Sequence, residues 1–105
     1  MPQFDLHRNQ NSATKARFPL LLDVQSDLLE PLATRVVIPL APAAATRRQR
    51  IETLTPKVVV DRREYLVMTP LLAGIATRDL GPSSGNLASD RGAILAALDL
   101  LITGI

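Results

Sequence analysis

Residues Leu20–Ala41 read LLLDVQSDLLEPLATRVVIPLA, and this stretch decides the fold. Two apolar runs, Phe18–Val24 and Arg35–Ala41, are bounded by turn residues, the usual mark of strands covered on both faces. Between them lies a short polar connection, Gln25-Ser26-Asp27-Leu28-Leu29-Glu30-Pro31. Ser26 and Asp27 suit a turn, because their side chains bond the local backbone. Leu28 and Leu29 do not suit an exposed connection. Paired exposed leucines cost solubility, so they are expected to be covered, either by the rest of the fold or by a partner.

Working outward, Pro2–Leu6 places Phe4 and Leu6 on one face and predicts an opening strand. His7–Arg17 has no hydrophobic period and predicts a hairpin loop. Pro39 falls inside the third strand, which is therefore expected to be an edge or to carry a bulge there. Pro42–Thr46 leaves a short helical turn and a loop both open, and Thr46–Glu52 is charged and expected at the surface. Lys57–Val60 and Arg63–Thr69 flank Asp61-Arg62, which predicts a tight hairpin. Leu71–Leu80 reads as a further strand interrupted at Gly74, and Gly81–Asn86 as a loop.

Leu87, Ile94, Leu98, Leu101 and Ile105 recur at near-helical spacing, with Leu95 and Ile102 broadening the stripe. Ser89 is a candidate cap, and Asp90 suits the positive end of the helix dipole. Gly92 weakens the first turns by roughly 1 kcal/mol relative to alanine. Gly104 stands where a left-handed residue would stop the helix. Several strands and one terminal helix predict a single mostly antiparallel α+β domain spanning residues 1–105. The spacing leaves a barrel and an open sheet both open.

Composition bounds the rest. At 105 residues, 47% apolar and 21% charged, the chain is globular and can bury a modest core. Its aromatics are Phe4, Phe18 and Tyr65, so that core must be aliphatic, and a small aliphatic domain gains from self-association. There is no cysteine, hence no disulfide or thiolate metal site. MPQFDLHRNQ holds no apolar secretion signal, and the expected setting is cytoplasmic. Ala93–Ile105 is too short to span a membrane and contains Asp99. A net charge of +2 is too small to argue for nucleic acid.

Catalytic chemistry finds little footing. His7 is the one histidine, so zinc would lack ligands, and the residue is expected to be solvated in its loop. No phosphate-cradling glycine motif is present. Asp23, Asp27 and Glu30 could form an acid pair or cation site, but bonds to the local backbone are the stronger reading. Arg47-Arg48-Gln49-Arg50 suits phosphate or an acidic partner, or simply a solvated loop, and it has no stacking aromatics beside it. No catalytic residue, metal or cofactor is expected.

DVQSDLL followed by VIPLA, then Leu54-Thr55-Pro56, Val67-Met68-Thr69 and a terminal Thr103-Gly104-Ile105, resembles the CcdB family of bacterial toxins over essentially the whole chain. The resemblance implies an SH3-like partly open barrel with a C-terminal helix, assembled as a homodimer. It implies a non-enzymatic toxin of a toxin–antitoxin pair, associated with plasmid maintenance, that binds the A subunit of DNA gyrase and traps the cleaved-DNA complex. It further implies neutralisation by a CcdA-like antitoxin, through which the pair contacts operator DNA and represses its own operon. The family's gyrase-contacting positions fall on Ser26, Leu28, Leu29, Asp99, Ile102, Thr103, Gly104 and Ile105.

Ser26, Gly104 and Ile105 match the family residues, and Leu28 and Leu29 replace other aliphatics. Asp99 stands where an amide is typical, and Ile102 where an aromatic is. Thr103 replaces a tryptophan that stacks on a gyrase arginine, a contact worth roughly 0.5–2 kcal/mol. Two alternatives follow. One is an RNA-cleaving toxin on the scaffold shared with MazF/Kid-type ribonucleases, using Arg47, Arg48 or Arg50 with Asp27 or His7. The other is a non-toxic homologue that only binds antitoxin, motivated by Ile102 and Thr103.

Overall fold

The computed structural model describes residues 2–45 and 51–104. Among them run seven strands: β1 (Asp5–Arg8), β2 (Leu20–Asp23), β3 (Thr34–Pro42), β4 (Lys57–Val60), β5 (Arg63–Val67), β6 (Ala73–Ala76) and β7 (Ser83–Asn86). One helix, α1 (Arg91–Thr103), ends the described chain. The strands pair antiparallel in the order β4-β5-β3-β2-β1-β7, with β6 also on β3. The sheet curls into a half-barrel with the helix at its C-terminal end, an α+β fold.

The third strand organises this sheet. One side of β3 pairs with β2, while the other pairs with β6 over Thr34–Val37 and with β5 over Leu40–Pro42. Pro39 lies at the step between those two partners. The Val24 N–H donates to the Val36 carbonyl at 3.0 Å, so alternation puts Leu22–Ile38 in a hydrogen-bonded pair and Leu21–Pro39 in a non-bonded one. The proline nitrogen therefore faces away from β2, where a change of partner asks for no donor. Its carbonyl accepts from the Met68 N–H at 3.0 Å. The expected edge or bulge is thus replaced by a partner change in the middle of the sheet.

Alternation along the strands builds two buried faces. Leu6, Leu22, Ile38 and Leu40 join Phe4, Val24, Val58, Val67, Leu87 and Ile94 in the main core. His7, Leu21, Asp23, Arg35 and Val37 point the other way and are also buried. What covers them follows from topology: β6 lies beyond β3 and β7 beyond β1, so residues 77–82 must cross the strands between. Leu80 on this strap packs with Leu21, Val37 and Ile75. The His7 ring donates from Nδ1 to the Gly81 carbonyl at 2.7 Å.

Several expectations are corrected here. His7 is a strand residue only 1% exposed, not a solvated loop residue, because the strap closes over it. The opening strand starts later and runs through Arg8, since Phe4 takes a φ of 71° and the Asp5 N–H turns back to the Pro2 carbonyl. Leu71–Leu80 yields only the short β6 between two 3-10 turns. Gly81–Asn86 is not all loop, because Ser83–Asn86 pairs with β1.

Other readings hold. Asp61 and Arg62, with φ of 50° and 66°, make the two-residue hairpin turn whose twist suits antiparallel strands. Ala43–Ala45 is a 3-10 turn, and Ile51 and Glu52 are exposed, while Thr46–Arg50 lie outside the described residues. Gly104 ends α1 at φ 76°, its N–H bonded to the Leu100 carbonyl. Ser89 does not cap α1; Asp90 holds that position without a side-chain bond, after a 3-10 turn at Ala88–Asp90.

Candidate partner-binding surface

The polar connection between β2 and β3 folds into a 3-10 turn, Asp27–Leu29. Ser26 caps it: its backbone is extended, and its Oγ accepts the Leu28 N–H at 3.2 Å. None of the three turn residues is buried. Leu28 is 91% exposed and Leu29 48%, so the chain's own fold does not cover the pair.

Without a buried side chain, polar contacts must hold the turn. The Asp27 carboxylate accepts the Gln3 N–H at 2.7 Å. Gln25 Nε2 donates to the Leu29 carbonyl at 3.1 Å, and Gln25 Oε1 accepts the Val36 N–H at 3.1 Å. Beneath Gln25 sits a buried ion pair, Arg35 Nε to Asp23 Oδ2 at 2.8 Å, with both side chains at 1% exposure or less. The second Asp23 oxygen accepts the Gln25 N–H at 3.0 Å, and Arg35 Nη2 reaches the Gln25 carbonyl at 3.4 Å. Desolvating two charges is expensive, and close pairing with added hydrogen bonds offsets that cost. Asp23 is therefore an internal ion-pair partner rather than half of a surface acid pair.

The helix supplies the second set. Ile94 and Ala97 are fully buried, Leu95 and Leu98 pack against the core, and Leu101 is half-buried. Asp99, Ile102, Thr103 and Gly104 are exposed, and Ile105 lies outside the described residues. Ile102 is 73% exposed, so it projects outward instead of extending the core stripe. Thr103 turns its hydroxyl back on the helix, donating to the Asp99 carbonyl at 2.7 Å. Its polar group is thus spent locally.

Among the described residues, no hydrogen bond joins Ser26, Leu28 or Leu29 directly to the helix-end residues. An indirect chain runs to the start of the helical region. The Gln3 carbonyl accepts from Asn86 Nδ2 at 3.2 Å, and Asn86 Oδ1 accepts the Ala88 N–H at 2.7 Å. Gln3, Gln25 and Asn86 escaped the sequence reading, because an isolated amide carries no period or motif. Ala97 escaped too, although the spacing 94-97-98-101 marks it as part of the buried stripe.

Residues offered for catalysis are engaged elsewhere. His7 is enclosed beneath the strap, and Asp27 is tied to Gln3. Arg47, Arg48 and Arg50 lie outside the described residues. A groove of about 480 Å³ beside Asn9, Gln10, Asn11, Leu21, Ile75, Arg78 and Asp79 contains none of these candidates. Among the described residues no cluster of three metal-ligating side chains occurs, and no helix is long and apolar enough to cross a membrane.

The half-barrel leaves Leu28 and Leu29 on the turn and Ile102 at the helix end open, as it does Leu32, Ile51, Val59 and Leu71 elsewhere. The chain matches the family model described as CcdB protein over residues 3–104, and it belongs to that family. The family is one of toxins from toxin–antitoxin pairs, so membership brings with it an antitoxin partner.

Proposed function

We propose that this chain is a gyrase-directed toxin: as a homodimer it binds the A subunit of DNA gyrase and stabilises the cleaved-DNA complex. It makes and breaks no bond itself. It acts by binding one state of another enzyme's cycle and raising that state's population. A CcdA-like antitoxin neutralises it by folding a disordered segment onto it, and the pair represses its own operon with the antitoxin reading the DNA. The setting is cytoplasmic.

The observation that carries this reading is exposure. Leu28 at 91% and Ile102 at 73% are large apolar side chains left open, at positions to which the family resemblance assigns gyrase contact. Family membership is what singles these two out from other exposed apolar side chains such as Ile51 and Val59.

Thr103 supports a second reading, that of a weakened poison or an antitoxin sink. Its hydroxyl bonds to Asp99, and it offers no π face to an arginine. The deciding experiment is a gyrase cleavage assay with the host's own enzyme. It compares wild type, Thr103→Trp and a chain lacking residues 103–105. Wild type is expected to accumulate cleaved DNA and the truncated chain to lose activity. Thr103→Trp should improve potency by roughly fivefold to several hundredfold, from two contacts of about 0.5–2 kcal/mol each in a dimer. No cleavage by wild type at high excess, with growth of the host unaffected by strong expression, overturns the poisoning reading in favour of the sink.

A further inference from the structure

Gln25 is 7% exposed and spends all four of its polar groups. Its N–H donates to Asp23 Oδ1, and its carbonyl lies 3.4 Å from Arg35 Nη2. Its side chain then bridges outward, accepting from the Val36 N–H of β3 and donating to the Leu29 carbonyl, each at 3.1 Å. The inner half of the residue is thus clamped to the buried ion pair, and the outer half grips the last residue of the 3-10 turn.

That grip matters because no side chain of the turn is fully buried: Leu28 is 91% exposed and Leu29 48%, and the Ser26 cap is local to the turn. Among the described residues, two side-chain bonds tie the turn to the rest of the fold: Asp27 to the Gln3 N–H, and Gln25 to the Leu29 carbonyl. The Gln3 side chain donates to the Val24 carbonyl at 3.1 Å, while Gln25 joins the turn to the buried ion pair and to β3. An exposed leucine on a loose turn must lose backbone freedom when it docks, whereas one on a fixed turn has lost it already.

We propose that Gln25 is the positioning residue of this surface: it holds the 3-10 turn in its docking conformation before any partner arrives, and so acts on binding through Leu28 without touching the partner. The binding half of this statement rests on the gyrase reading above; the ordering half does not.

Gln25→Glu separates the two bridges. A carboxylate still accepts from Val36 but has no hydrogen to give to Leu29. Gln25→Met, of similar length and apolar, removes both and serves as the second variant in case a buried charge prevents folding of the first. Amide hydrogen exchange on the whole chain, together with thermal unfolding, reads the ordering. The expected result is exchange at least tenfold faster at Leu28, Leu29 and Glu30, with the amides of β1 and β7 unchanged. Unchanged exchange in the turn of a folded variant overturns the proposal, as does faster exchange spread evenly over the sheet.

Binding to the purified gyrase A subunit reads the consequence, in a cycle with Leu28→Ala. Gln25→Glu or Gln25→Met is expected to weaken binding about tenfold in the wild-type background and by less than twofold in the Leu28→Ala background. An equal loss in both backgrounds overturns the claim that Gln25 acts through the leucine. If wild type does not bind the A subunit at all, the gyrase reading fails, and the exchange experiment still decides whether Gln25 orders the turn.

Discussion

The two halves of the candidate surface are built by different means. At residues 99–104 the polar bonds are local, Thr103 bonding four residues back and Gly104 to Leu100, while Ile94, Leu95 and Leu98 dock the helix on the core. At residues 26–29 the local bond, Gln25 to Leu29, is itself anchored by partners distant in sequence. Gln25 also bonds to Val36 and to Arg35 on the next strand, and Asp27 bonds to Gln3. A helix carries its own scaffold because each turn bonds the next. A three-residue turn cannot, so its conformation must be imposed by the body of the protein.

Breaking each half at its base gives the largest effects. Asp23→Ala leaves Arg35 buried beside an empty site and should destabilise the protein by about 3–5 kcal/mol, measured by urea denaturation. The turn should become the most rapidly exchanging part of whatever folded protein remains. Ile94→Ala opens a cavity where the helix meets the core and should cost about 2–5 kcal/mol by the same measurement. In that variant the turn should keep its protection while the helix end loses it. If Ile94→Ala frees the turn as much as Asp23→Ala does, the two halves are not independently built.

Changing the tips instead of the bases should reverse the balance between stability and binding. Leu28→Ala and Ile102→Ala remove exposed side chains and should each change stability by no more than about 0.5 kcal/mol. Each should nevertheless weaken binding to the gyrase A subunit by at least about tenfold, as measured by titration calorimetry, if both tips face the partner. A loss confined to one variant would assign contact to that half alone.

Legibility in the sequence follows the same division. The β4–β5 hairpin, the third strand and the terminal helix with its Gly104 stop were readable, because each is written in adjacent residues. So were Ser26 as a turn cap and Leu28 and Leu29 as misfits. Pro39 announces an irregularity in the third strand but not its form, since a change of partner strand is invisible along one chain. The burial of His7 is not legible, because nothing local announces the strap that crosses it. β7 was hidden in Ser83-Ser84-Gly85-Asn86, a loop by composition that becomes a strand only because β1 offers it a free edge.

The amino-acid sequence by itself determined the class of fold, the family, and which side chains are out of place for an ordinary connection. Periodicity, turn chemistry and composition are local, and local rules suffice for those. Only the tertiary structure decided what becomes of the misfits. It buried Asp23 with Arg35, set Gln25 between that pair and the turn, and left Leu28 open at the surface. Those outcomes depend on strands that meet across the sheet, where a polar group's fate is set by which partner arrives within hydrogen-bonding distance.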